Sequence, residues 1–185
     1  MGEIEDAIER ADRESFTRQP PKTLKGQIGY LLKQMASAKA VAAELGVTAD
    51  SVNRYRRGAR KHARADVAAK INDAVRQRWQ PQVRKRRQKQ AATSGGITVE
   101  TRARFGYTAP VGTTDDGRFR RLTVHLPPTY AQRLFDARES GVSEQEMRSI
   151  IAEGFKEIYF QDGGDRAAGL SDVTLNDIDY LDLDY

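Results

Sequence analysis

The sequence predicts an α+β protein with an all-α N-terminal part, a smaller part of strands and two helices, and an acidic tail. Three observations carry that reading. Apolar residues in the first half of the 185-residue chain recur at helical spacing, interrupted by capping residues and a Pro-Pro pair. Two later segments alternate apolar and polar with period two, and helical patterns follow them. Charge is also segregated: residues 1–104 hold 23 Lys and Arg against 11 Asp and Glu, and residues 105–185 hold 8 against 15. A basic half joined to an acidic half implies a polyanionic partner for the first and a protein-facing or regulatory role for the second.

The elements follow in order. Glu3 to Phe16 reads as a short amphipathic helix with Ile4, Ile8, Ala11 and Phe16 on one face, stopped by Pro20-Pro21. Thr23 opens a helix through Gln34 that buries Leu24, Ile28, Leu31 and Leu32. Between Ala38 and Gly58 the chain reads AKAVAAELGVTADSVNRYRRG, the spacing of a helix-turn-helix. Val41, Ala42 and Leu45 face inward, Gly46 suits a turn that needs positive φ, and Val47 buries the turn. Thr48 caps the next helix, whose Val52 and Tyr55 point to the core. Thr48, Ala49, Asp50, Asn53, Arg54, Arg56 and Arg57 are left facing outward, suited to base edges and phosphates. An ordinary helical hairpin with a basic solvated face has the same pattern.

Asp66 to Trp79 carries Val67, Ile71, Val75 and Trp79 at core spacing. After Pro81, Arg84, Lys85, Arg86, Arg87 and Lys89 crowd together; with Arg54, Arg56, Arg57, Arg60, Lys61 and Arg64 they supply ample charge for phosphate contacts. A solvated helix extension is the plainer reading of that second cluster. The expected organisation is a helical DNA-binding domain with its basic extension at 1–90, a flexible linker at 91–96, a strand-and-helix domain at 97–160 and an acidic tail at 161–185.

Ile97 to Tyr107 and Phe119 to Leu126 both alternate as half-buried strands, joined through Thr108–Gly117 (TAPVGTTDDG). Arg120–Phe160 resembles a ribbon-helix-helix module. Its short strand RRLTVHLP is followed by a helix with Tyr130, Leu134 and Ala137 inward, a stop at Gly141, and a helix capped by Ser143 with Glu146 three residues on. The second helix has Met147, Ile150, Ile151, Phe155 and Ile158 on its apolar face. In that family two chains pair their strands into a ribbon that enters the major groove, which would turn Arg121, Thr123 and His125 toward DNA and imply a homodimer. The alternative pairs the strand with Ile97–Tyr107 of the same chain. The tail Leu170–Tyr185 has five aspartates and no positive charge, and reads either as a disordered segment that docks on a basic partner or the chain's own basic half, or as a simple solubilising tail.

Composition narrows the chemistry. There is no cysteine, so disulfides, thiolate zinc sites and a cysteine nucleophile are excluded; His62 and His125 have no neighbours at metal-ligand spacing. No apolar run approaches the roughly 18 residues of a membrane span, and the acidic N-terminus is unlike a signal peptide, so the expectation is a cytoplasmic protein with no membrane partner. The loop around Thr113 and Thr114 presents hydroxyls with no general base at hand, which disfavours autonomous hydrolysis or acyl transfer. A hydroxyl can still act as nucleophile where a partner polymerase supplies two Mg²⁺ ions.

Over essentially its whole length the chain is similar to the telomere-protecting terminal proteins, the Tpg family, of linear actinobacterial chromosomes and plasmids. The segments that carry the resemblance are IEDAIERADRESF, QIGYLLKQMASAKAVAAELGVTADSVNRYRRGARKH, RKRRQKQ, RFGYTAPVGTTDDGRFRRLTVHLPPTYAQRLFDARESGVS and DYLDLDY. The resemblance implies a protein that is no enzyme itself but a protein primer, covalently attached to the 5′ ends of linear DNA and found with the nucleoid at DNA ends. It further implies a priming threonine that falls on Thr114, dCTP as the first nucleotide, and as partners telomeric DNA, the telomere-associated protein Tap and a DNA polymerase. No intrinsic cofactor is implied; dCTP and Mg²⁺ belong to the polymerase site. Judged from the residues alone, Thr113 rivals Thr114, and a dimeric sequence-specific transcriptional regulator without covalent chemistry stays open as a second class.

Overall fold

Glu3–Glu14 forms the first helix, α1, and its face of Ile4, Ala7, Ile8 and Ala11 belongs to a core built mainly from the far end of the chain. The computed structural model describes residues 2–108, 118–165 and 169–185. Among them are eight α-helices and three strands, an α+β fold. The chain divides into two units, Phe16–Pro81 and the pair of segments Met1–Ser15 with Gln82–Tyr185. The division differs from the expected single domain over 1–90. Helix α1 leaves its sequence neighbours because its apolar stripe is buried in the sheet unit.

Residues 16–81 fold as a helical unit of α2 (Leu24–Met35), α3 (Ala38–Leu45), α4 (Ala49–Arg57) and α5 (Ala65–Arg78). Its core is Ile28, Leu31, Val41, Leu45, Val52, Tyr55, Val67, Ile71 and Val75. Three of the four N-caps are local chemistry: Thr23, Ser37 and Thr48 accept from the backbone N–H three residues on. The two ends of the unit are tied together, since Gln80 Oε1 accepts from Thr17 N at 3.0 Å and Trp79 Nε1 donates to Arg18 O at 2.8 Å. The ring of Trp79 meets Tyr30 edge-on at 4.8 Å.

The other unit holds α1, α6 (Pro81–Gln90), strands β1 (Ile97–Thr108), β2 (Arg118–Leu126) and β3 (Asp172–Asp184), and helices α7 (Pro128–Glu139) and α8 (Glu144–Phe155). The antiparallel sheet has the order β2-β1-β3. One face carries Ile97, Val99, Thr101, Ala103 and Phe105 with Leu122, Val124 and Leu126, and lies in the core with α1, α7 and α8. Of the two pairings expected for the second strand, the one found is within the chain, from Ile97↔Leu126 to Phe105↔Arg118. Ser143 and Glu146 form the expected capping box of α8.

Two expectations are corrected. Ala91–Gly96 is no flexible linker: Ala91–Gly95 continues α6 as one π-helical turn, and Ala91 is buried. Gly96 then takes φ +70, where an added Cβ would stand 2.4 Å from the Leu126 carbonyl oxygen, so the chain can enter β1 only through glycine. The acidic tail is likewise ordered over Asp172–Asp184 as the edge strand β3. Val173, Leu175, Leu181 and Leu183 are buried there, and that apolar burial outweighs the cost of gathering its aspartates.

Asp12, fully buried on α1, is the polar centre of this unit. Its carboxylate accepts from the Tyr185 hydroxyl at 2.7 Å and from Gln88 Nε2 at 3.1 Å, and it pairs with Arg138 at 3.4 Å and Arg84 at 3.8 Å. We predict that Asp12→Asn, which removes the buried charge that Arg84 and Arg138 face, lowers stability by about 3 kcal/mol, read by urea unfolding. Burial first, and then the Asp12 charge, raises the pKa of the Tyr185 hydroxyl above the ordinary tyrosine value. A group so raised stabilises the fold fully below the unfolded pKa of 10.0 and loses that contribution as pH climbs past it. Stability measured against pH should therefore fall above about pH 10 in the parent and fall less steeply in Tyr185→Phe.

Candidate nucleic-acid interface

The turn between α3 and α4 is fixed by backbone geometry. Gly46 adopts φ 67, Val47 N donates to Ala42 O at 3.0 Å, and Thr48 Oγ1 accepts from Ser51 N at 3.2 Å. Val52 and Tyr55 are buried, which rotates the remaining α4 residues outward. Gly58, at φ 77, closes α4 in the same manner, with Ala59 N donating to Arg54 O at 3.0 Å.

Most of the basic residues expected on this surface are where the sequence puts them. Thr48, Arg54, Arg56, Arg57, Arg60 and Lys61 are exposed and Asn53 is half-buried. Arg54 is partly engaged, holding Asp50 one turn back at 2.8 Å; an exposed pair of this kind is worth little and yields readily to a phosphate. Arg56, Arg57, Arg60 and Lys61 have no ion-pair partner among the described residues.

On α6 the basic cluster divides. Lys85, Arg86 and Arg87 are exposed, but Arg84 is only 9% exposed and faces Asp12. The expectation that Arg84 contacts nucleic acid is therefore corrected. Its position one turn before Gln88 puts both on the α6 face that closes over α1, and a buried guanidinium neutralising a buried carboxylate is not free to meet a phosphate.

The sheet turns its other face outward. Arg121, Thr123 and His125 are exposed there, as the strand alternation predicts. Two of them are already engaged. His125 Nδ1 lies 3.1 Å from Thr98 Oγ1, and Arg121 pairs with Glu100 at 2.6 Å. The hydrogen bond from Arg121, followed by that from the Tyr180 hydroxyl, holds the Glu100 carboxyl below its usual range. Arg102 and Arg104 on β1 share this face and pair with Asp179 at 2.5 Å and Asp177 at 3.4 Å. The alternation of β1 already turns Arg102 and Arg104 outward; what the sequence reading missed is the strand that brings Asp177 and Asp179 to them, though the period-two pattern of Val173, Leu175, Leu181 and Leu183 was available to reveal it.

Thr113 and Thr114 fall in residues 109–117, outside the described residues; the chain connects them to the end of β1 and the start of β2. Among the described residues no group of three His, Asp or Glu side chains could hold a metal ion, and no helix is long and apolar enough to cross a membrane. Compared with protein-family models, curated proteins and solved structures, the chain finds no match.

What this arrangement can do chemically is attract polyanions. Replacing Arg56, Arg57 and Lys61 together by Gln should lower the salt concentration that elutes the protein from heparin and leave its thermal midpoint in place, because all three are exposed and outside the core. The check is a salt gradient paired with a melting curve.

Proposed function

We propose that this chain is a DNA-end protein primer that uses the α3–α4 pair as a helix-turn-helix to dock on DNA. The observation that carries the docking half is the α4 surface, where buried Val52 and Tyr55 leave Arg56 and Arg57 exposed in the last turn and the Thr48 cap exposed at the start. In this reading α4 lies against the major groove and Arg60 and Lys61 hold flanking phosphates, while Lys85, Arg86 and Arg87 are phosphate contacts of the other unit in their own right.

The priming half rests on the extended resemblance to telomere-protecting terminal proteins and on the chemistry of Thr114. Its hydroxyl oxygen attacks the α-phosphate of dCTP, the bond to the bridging oxygen breaks, and pyrophosphate leaves while the hydroxyl proton passes to solvent. The Mg²⁺ ions and the base that assist belong to a DNA polymerase, so the chain acts as that enzyme's substrate. Tap and the telomeric 5′ end complete the proposed assembly, at DNA ends within the nucleoid.

The test is nucleotidylation of the full chain with labelled dCTP in an extract containing the polymerase, followed by peptide mapping. The expected outcome is label on Thr114, lost in Thr114→Ala and kept in Thr113→Ala. Label persisting on the Thr114→Ala protein defeats the assignment. An unmodified mass for protein recovered from cells after nuclease treatment, combined with tight binding to an internal operator, replaces it with a dimeric regulator.

A further inference from the structure

We infer that the open face of the sheet is a docking platform for single-stranded nucleic acid, on which a base stacks against Phe119 while Arg102, Arg104 and Arg121 take the neighbouring phosphates. Phe119 is 48% exposed, although the alternation of β2 puts no helix over it. The β1–β2 register sets Phe119 opposite Arg104 and Arg121 opposite Arg102. The guanidinium carbons of Arg104 and Arg102 stand 5.2 and 5.7 Å from the ring centroid, so one aromatic surface is bordered by two cations.

The anions now on those cations indicate what the face accepts. Asp177 and Asp179 sit where the β1–β3 register slips between Arg102 and Arg104, and Asp177 takes φ 40 in reaching its partner. Their carboxylates occupy the arginines as phosphates would. The pairs are half-exposed and thus weak, so a polyanion with several phosphates displaces them. A single strand fits better than a duplex, because only an unstacked base can offer its ring face to Phe119.

The choice of polymer rests on the nucleic-acid reading above, but the platform shares no residue with α4 or with segment 109–117. The experiment is fluorescence anisotropy of the full chain with a labelled oligothymidylate of roughly 12 nucleotides and with a duplex of equal length. Phe119→Ala should weaken single-strand binding about tenfold and Phe119→Trp should retain it. Asp177→Asn with Asp179→Asn should tighten it several-fold, and duplex binding should stay within twofold throughout. Unchanged single-strand affinity in Phe119→Ala, or equal loss on both ligands, overturns the platform. Duplex binding indifferent to Arg57→Gln, with a Phe119-dependent single-strand signal, removes the α4 reading and supports the platform.

Discussion

The sheet-containing unit depends on one buried charge. Asp12 lies near the start of the chain, yet its partners are Arg84, Gln88, Arg138 and Tyr185. A carboxylate removed from water costs several kcal/mol unless its partners compensate, and here two guanidiniums, an amide and a phenol do so together. Because Asp12 is on α1 and Tyr185 is on its carboxylate, the network ties α1 and Tyr185 to one another and to α6 and α7. A further consequence concerns the helical unit. Residues 16–81 interrupt the other unit in sequence, and the hydrogen bonds among Thr17, Arg18, Trp79 and Gln80 close the loop that the interruption creates.

Local physics made much of this fold legible in advance. Caps and stops at Thr23, Gly46, Thr48, Gly58, Ser143 and Glu146 act within one helical turn, so their neighbours in sequence suffice to read them. The same holds for alternation along β1 and β2, where every second residue reports a face. Asp12 shows why the rest stayed hidden. Its type and spacing suit an exposed helix position, and only contacts more than 70 residues away in sequence explain its burial. Arg84 was misread for the same reason, because a cation among cations looks solvated until its carboxylate is found. The candidate surface on α4 was legible since its inward residues, Val52 and Tyr55, define its outward ones.

The ordered tail is the instructive case. Composition favoured disorder: five aspartates without a cation, spread over Leu170–Tyr185. Val173, Leu175, Leu181 and Leu183 keep one period-two phase, but in an uninterrupted strand Asp177 and Asp179 would share that phase and face the core. The slip opposite Arg102 and Arg104 removes the conflict. A β-bulge takes up the two extra residues, so both apolar runs face the core while Asp177 and Asp179 pair with Arg104 and Arg102. Aspartates thereby accumulate on the outer face, where Arg10, Arg102 and Arg104 receive Asp182, Asp179 and Asp177. What composition presents as repulsion becomes, once the strand is paired, a row of complementary charges.

That arrangement bears on how the two proposed nucleic-acid surfaces of one chain would avoid doing the same job. On α4 the basic residues Arg56 and Arg57 are without local counter-ions, and electrostatic attraction there is long-range and unselective until base edges are reached. On the sheet Arg102, Arg104 and Arg121 already have acidic partners, so they add little net field to draw a polyanion from a distance. Binding there gains only when a base also covers the exposed ring, which couples the exchange of anions to stacking. In the proposed reading the first surface would favour whatever DNA is near, and the second would discriminate between paired and unpaired strands, because only an unstacked base offers its face to the Phe119 ring.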